Sequence, residues 1–171
     1  MQMAGRPRKP DAKPRPLQEI PPTVMIRRYT LLICLAWLSG AGCKKDEAPE
    51  TLEAYITRAN LASTVTKDPR GFYYQVVTPG TGATPTLSSR VTVLYTGSLT
   101  NGNVFDQTGA TPATFGLGQL ILGWQYGLPL IKAGGRIKLY LPPQLGYGSQ
   151  AAGSIPPNSV LIFDITLQAV Q

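Results

Sequence analysis

From Gly71 onward, hydrophobic and polar residues alternate with period two in short runs separated by glycine and proline, the pattern of half-buried strands. Phe72-Tyr-Tyr-Gln-Val-Val77 is one such run, ended by Pro79-Gly-Thr-Gly82. Arg90-Val-Thr-Val-Leu-Tyr-Thr96 is a second, closed by Asn101-Gly102, a strong tight-turn signal. Thr114-Phe-Gly-Leu117 is short, Arg136-Ile-Lys-Leu-Tyr-Leu141 alternates clearly until Pro142-Pro143, and Val160–Val170 is the longest. Between them only Ile121–Ile131 reads as a helix, despite its glycines and Pro129. Strands on both sides of one helix predict an α+β domain, a single antiparallel sheet curled around one short α-helix.

Upstream the period changes. Leu52, Tyr55, Ile56 and Ala59 fall at helical spacing within Glu50–Asn60, which predicts a short amphipathic helix. Such a helix would pack on the domain or space it from a membrane, and a dimerisation helix is the sharper possibility. Further upstream, Arg27-Arg28 precede the apolar run Tyr29–Leu38 and the small residues Ser39-Gly-Ala-Gly-Cys43. A basic pair, an apolar run and a small-residue segment are the three parts of a secretory signal. The run falls short of the ~20 apolar residues that a spanning helix needs. The segment ending in Cys43 resembles the lipobox of bacterial lipoproteins, in which the cysteine is diacylated and becomes the mature N-terminus. That family usually has leucine three positions before the cysteine, where this chain has Gly40, with Leu38 two residues further back.

Four segments are therefore expected. Residues 1–24 are a proline-rich, basic extension expected to be disordered, and Met25-Ile-Arg-Arg28 has the form of a normal signal start, so translation is expected to begin at Met25. Residues 25–43 form the signal peptide with its lipobox-like Cys43. Residues 44–69 hold a tether and the short amphipathic helix, and residues 70–171 form the folded domain. Cys43-Lys-Lys-Asp-Glu47 also resembles the lysine-plus-acidic signal that sends some lipoproteins to the outer face of the outer membrane, although a solvated tether would look the same. The expected location is the bacterial cell envelope, lipid-anchored to a membrane and facing the periplasm or exposed on the outer-membrane surface.

Composition changes this picture in two respects. The 171 residues carry a formal charge of +7, but residues 1–42 hold seven basic and two acidic side chains, so the rest of the chain carries only +2. The basic character belongs to the leader, there is no basic stripe on the domain, and nucleic acid is not an expected partner. The chain also has no histidine, which removes a Ser-His-Asp arrangement and imidazole metal ligands. After Glu53 the carboxylates are Asp68, Asp106 and Asp164 alone, too few for a convincing paired-carboxylate site. Pro79-Gly-Thr-Gly82 and Gly116-Leu-Gly118 lack the context of a phosphate cradle and read as turns. No metal and no cofactor are expected. What remains is an aromatic set with one carboxylate, suited to a dry pocket for something apolar.

Val93-x-Tyr-Thr-Gly97, Asn101-Gly102 with Phe105-Asp106, Gly123-Trp124, Leu141-Pro142, Tyr147-Gly148, Ile155-Pro-Pro157 and Leu161-x-Phe-Asp164 together resemble the FKBP-type peptidyl-prolyl cis-trans isomerases. The resemblance covers about residues 70–170, in order and with near-normal spacing, and the upstream helix and leader resemble the membrane-anchored bacterial members. It implies an FKBP-like fold, rotation of X–Pro amides in proline-containing polypeptides of the envelope, and a pocket carried by particular residues. Trp124 would form the floor under a proline ring, with Tyr95, Phe105 and Phe163 as apolar walls and Asp106 beside the rotating bond. The Tyr147 hydroxyl and the Ile155 backbone N–H would donate to substrate carbonyls, and Phe115, Leu120 and Ile121 would complete the substrate contacts. Macrolides are the inhibitors the resemblance implies, with affinity put in question by Ala113, where many relatives have a larger residue, and by the small loop Ser149–Ser154. A monomer or weak dimer is expected. The competing reading is an FKBP-like lipoprotein that binds proline-containing or unfolded segments without turnover. Retention of Asp106 and Tyr147 favours the enzyme, because a binder could lose either.

Overall fold

Thr51 starts the first element: its side chain accepts the Ala54 N–H at 3.2 Å and caps helix α1 (Leu52–Arg58). A computed structural model describes residues 49–171. The leader, signal segment, Cys43 and the charged run after it, expected from the sequence, lie outside the described residues. Strands β1 (Thr66–Lys67), β2 (Tyr73–Thr78), β3 (Arg90–Leu99), β4 (Val104–Gln107), β5 (Ala113–Gly116), β6 (Gly135–Leu141) and β7 (Leu161–Val170) form one antiparallel sheet. Its order is β1-β2-β6-β7-β3-β4, with β5 also pairing to β3.

Alternation along the strands divides the sheet into two faces. Val91 and Val93 of β3, Ile137, Leu139 and Leu141 of β6, and Leu161, Phe163, Ile165 and Leu167 of β7 are buried on one face, the expected consequence of period two. Helix α2 (Leu122–Gly127) packs against that face through Trp124. A side chain at Gly123 or Gly127 would run into Leu141 or Leu139, so these two glycines let the helix lie directly on β6. The helix expected over 121–131 is shorter than that: after Gly127 the chain tightens into a 3₁₀ turn, Leu128–Leu130. Pro129 is accommodated there because it falls in the first positions of the turn, where its missing N–H has no partner to lose.

The opposite face carries the second, smaller apolar cluster. Leu52 and Ile56 of α1 bury against Tyr140 of β6 and Val160, with Tyr55, Tyr73 and Ile162 around them. The expected amphipathic helix is therefore part of the folded body, and β1, which pairs with β2, joins it to the sheet. Arg58 holds Glu50 through two hydrogen bonds, at 2.7 and 3.0 Å, and donates to the Thr100 carbonyl at 3.2 Å, which ties the helix to the turn between β3 and β4. Further along this face Arg136 makes a bidentate pair with Asp164, both bonds at 2.8 Å. Asp164, the carboxylate that follows Phe163 in the sequence, thus points away from the core face where Phe163 is buried.

Candidate functional site

Three strands meet at Gly97. In β3 it sits opposite Phe163 of β7 on one side and Asp106 of β4 on the other. Two residues before it, Tyr95 faces the same side of the sheet, and Trp124 reaches up from the first turn of α2. Local sequence explains the arrangement: the Asn101-Gly102 turn, closed by the Gly102 N–H on the Leu99 carbonyl at 2.9 Å, returns the chain along β3 and brings Phe105 and Asp106 alongside.

The rings meet edge to face. Tyr95 and Trp124 are 5.1 Å apart at 86°, Trp124 and Phe163 5.4 Å at 88°, and Phe105 and Phe163 5.5 Å at 85°. These are favoured aromatic geometries, and each such pair adds about 0.5–1.5 kcal/mol beyond area burial. Trp124 and Phe163 are each only 4% exposed and belong to the core. Together Tyr95, Phe105, Asp106, Phe115, Leu120, Ile121, Trp124, Tyr147 and Phe163 line a cleft of about 190 Å³.

The polar groups of the cleft are few. The Tyr95 hydroxyl donates to Asp106 Oδ2 at 2.5 Å, a short bond to a charged acceptor. Burial first, and then that carboxylate, push the Tyr95 phenol well above the ordinary tyrosine value of 10.0. Tyr147 is 42% exposed at the rim, and its hydroxyl makes no hydrogen bond within the described residues. The Trp124 indole N–H is buried and has no partner among the described residues, a cost of about 1–3 kcal/mol in ordinary circumstances.

Of the residues expected at the site, Ile155 departs from its role. Its side chain is buried in the core, it does not line the cleft, and its N–H is donated to the Ala152 carbonyl at 2.9 Å. The reciprocal bond, Ala152 N–H to Ile155 carbonyl at 3.0 Å, closes a narrow two-residue turn that turns both polar groups of Ile155 inward. The donor expected for a substrate carbonyl is thus already engaged. One residue escaped sequence reasoning altogether: Thr108 bonds the Tyr95 backbone from the loop after β4. A threonine in a polar loop gives no signal of this kind.

A larger groove, of about 620 Å³, runs over the opposite face of the sheet past Tyr55, Leu61, Arg136 and Asp164. Its floor carries Thr96, Ser98, Thr166 and the Arg136–Asp164 ion pair, and its greater size reflects an open, polar surface. The smaller aromatic cleft is the better candidate, because it joins convergent apolar walls to a few placed polar groups.

Comparison with known proteins bears on the family and the fold. Residues 82–168 match the sequence profile of the FKBP-type peptidyl-prolyl cis-trans isomerases. The chain is 43% identical over 138 residues to the FKBP-type peptidyl-prolyl cis-trans isomerase FkpA of Aeromonas hydrophila, covering 78% of this chain and 52% of that protein. Among solved structures it resembles FkpA from Escherichia coli, with a TM-score of 0.66 and 41% identity over 70% of this chain and 57% of that one. A peptidyl-prolyl cis-trans isomerase from Pseudomonas syringae pv. tomato gives a TM-score of 0.64 at 33% identity, over 70% of this chain and 90% of that one. The chain spans about half the length of the curated relatives it matches. A seven-stranded sheet on one short helix, an aromatic cleft at its centre and these matches lead to one assignment: the chain belongs to the FKBP-type peptidyl-prolyl cis-trans isomerase family.

Proposed function

We propose that the chain is a peptidyl-prolyl cis-trans isomerase of the bacterial cell envelope that rotates X–Pro amides in the aromatic cleft between α2 and β3. The observation that carries this reading is the cleft itself, where nine side chains from separate elements leave a small apolar space with Asp106 at its wall. An X–Pro amide rotates over a barrier of ~18–20 kcal/mol because resonance favours the planar form. Unaided, the exchange takes tens to hundreds of seconds. The planar form is the more charge-separated one, so a dry aromatic surrounding disfavours it relative to the twisted form. Trp124 serves as the floor for the proline ring, Tyr95, Phe105 and Phe163 as walls, and Phe115, Leu120 and Ile121 as further apolar contacts. Tyr147 donates its free hydroxyl to a carbonyl flanking the proline, and Asp106, fixed by Tyr95, lies beside the rotating bond. No covalent bond to substrate and no cofactor are required.

The envelope location rests on the sequence of residues 27–43, with Cys43 as the acylated residue. Among the described residues no helix is long and apolar enough to cross a membrane. The anchor would be the lipid, in keeping with ~0.8 kcal/mol for each buried CH₂ of an acyl chain.

A protease-coupled assay on a short X–Pro peptide tests the activity. The chain is expected to accelerate exchange well above the uncatalysed rate, and Asp106→Ala to lower kcat/KM about tenfold, equivalent to about 1.4 kcal/mol of transition-state stabilisation. A rate no faster than the uncatalysed one would leave only proline-segment binding.

The same assay has an expected pH profile. The mechanism moves no proton, the chain has no histidine, and the Tyr95 phenol stays protonated, so the rate should be flat between about pH 6.5 and 9. A bell-shaped profile in that window would contradict catalysis without proton transfer. The raised Tyr95 value also fixes the sign for stability: the folded chain binds that proton more tightly than the unfolded chain. Its contribution is complete below the ordinary value of 10.0 and is lost as pH rises above it.

A further inference from the structure

Strand β3 is bonded along its length to β7 on one side, but on its other side it has two short partners with a gap between them. β5 covers Arg90–Val93 and β4 covers Thr96–Ser98. The gap falls at Leu94 and Tyr95. In an antiparallel ladder the N–H and C=O of one residue point to the same side, and those of Tyr95 point into the gap, where both are met by Thr108. The Thr108 N–H donates to the Tyr95 carbonyl at 3.1 Å. The Tyr95 N–H donates to Thr108 Oγ1 at 3.0 Å, and that hydroxyl lies 3.4 Å from the Tyr95 carbonyl, to which it donates in turn. The side chain of Thr108 thus stands where a strand carbonyl would be.

We propose that Thr108 is a positioning residue for this site: its hydroxyl closes the break in the sheet at Tyr95 and so fixes the Tyr95 phenol and, through it, Asp106. The proposal rests on the isomerase reading for its effect on rate, but not for its effect on Tyr95. Two features make Thr108 suited to the task. It follows Asp106 by two residues, so one short segment carries the carboxylate and also clamps the strand whose phenol holds that carboxylate at 2.5 Å. It is also the last point at which the β4 ribbon touches β3 before the chain leaves for β5. Without the hydroxyl, the Tyr95 N–H faces an apolar group or water, and the ring loses its fixed root.

The test uses the full chain with Thr108→Val, which keeps the shape and removes the hydroxyl, and Thr108→Ser, which restores it. Two readouts are taken: the Tyr95 ring ¹³Cζ signal, assigned by its loss in Tyr95→Phe, and kcat and KM on the X–Pro peptide. Thr108→Val is expected to shift the ring signal toward that of a solvent-exposed phenol and to lower kcat about threefold to fivefold with KM changed less than twofold. Thr108→Ser is expected to match the parent in both. In a Tyr95→Phe background, Thr108→Val should have little further effect on kcat, because the group it positions is gone. An unchanged ring signal in Thr108→Val overturns the proposal, as does an equal loss of kcat with or without the Tyr95 hydroxyl. If Thr108→Val does not fold, a ring signal or kcat in Thr108→Ser that differs from the parent also overturns it. If the parent shows no isomerase activity, it is the isomerase reading that fails, and the ring signal alone still decides the role of Thr108.

Discussion

Gly80→Ala should cost about 2–5 kcal/mol of stability and leave little folded protein under mild denaturing conditions. Gly80 has φ +75°, in the left-handed region where a side chain costs about 1–2 kcal/mol. The space is also taken. A Cβ there would run into the Lys132 carbonyl and lie 2.7 Å from the Gly135 nitrogen and 2.8 Å from the Ala133 carbonyl, all backbone atoms that cannot rotate away. Relief would have to come from moving the chain that leads into β6, whose hydrogen bonds to this segment include Lys132 N–H to Pro79 carbonyl and Gly82 N–H to Ala133 carbonyl. Overpacking of this kind adds about 1–3 kcal/mol. Urea unfolding, compared at constant m-value, measures the loss, and a change below 1 kcal/mol would show that the segment yields more easily than its contacts allow.

Gly97→Ala should have its main effect on rate and leave the fold standing. A methyl group at this position would sit 2.7 Å from two ring atoms of Phe105 and 2.9 Å from Phe163, two rings that meet edge to face in the cleft. Rings can shift where backbone cannot, so the protein is expected to fold with both walls displaced by up to about an ångström. Misplacement on that scale can cost as much as a hundredfold in a reaction that depends on position. The expected fall in kcat/KM is therefore about ten- to hundredfold. Parent-like kcat/KM in a folded Gly97→Ala protein would mean that the spacing of Phe105 and Phe163 does not govern turnover.

These two glycines show how the sequence was legible and where it was not. Gly80 was readable as a turn from Pro79-Gly-Thr-Gly82 alone, since that chemistry is local. Gly97 stood out only as one letter of a family pattern, and its reason, two rings closing over a bare Cα, appears only when β3, β4 and β7 are side by side. Alternation marked β3, β6 and β7 because one face of each is largely buried, whereas β2, no residue of which is buried, owes its place to its pairing with β6. β4 and β1 carried no such mark. Val104-Phe-Asp-Gln107 is four residues long, and Thr66-Lys67 is two, and each is a strand only because a neighbour supplies its hydrogen bonds.

The cleft was legible to a similar degree. All of its lining residues could be named in advance from the resemblance, because side-chain identity is what a family pattern records. Ile155 was misjudged in role because a backbone N–H has no letter of its own, and its engagement with Ala152 depends on a turn closing between small residues. Thr108 was overlooked for the same reason, since its bonds are to the Tyr95 backbone.

The four-residue strand β4 pairs with the sheet through β3, and its turn is held from outside by Arg58 of α1, which donates to the Thr100 carbonyl. Trp124 and Phe163, by contrast, are rooted in the buried core. The cleft therefore joins a floor, Trp124, and one wall, Phe163, set in the buried core to a second wall, Phe105 and Asp106, carried on a short strand that depends on β3 and on the Tyr95–Asp106 bond for its place. If, as proposed, an X–Pro amide turns within this space, the core-rooted floor holds the axis of that rotation and the β4 wall is the side on which substituents of different size meet the protein, so grip and tolerance fall to different elements of the fold.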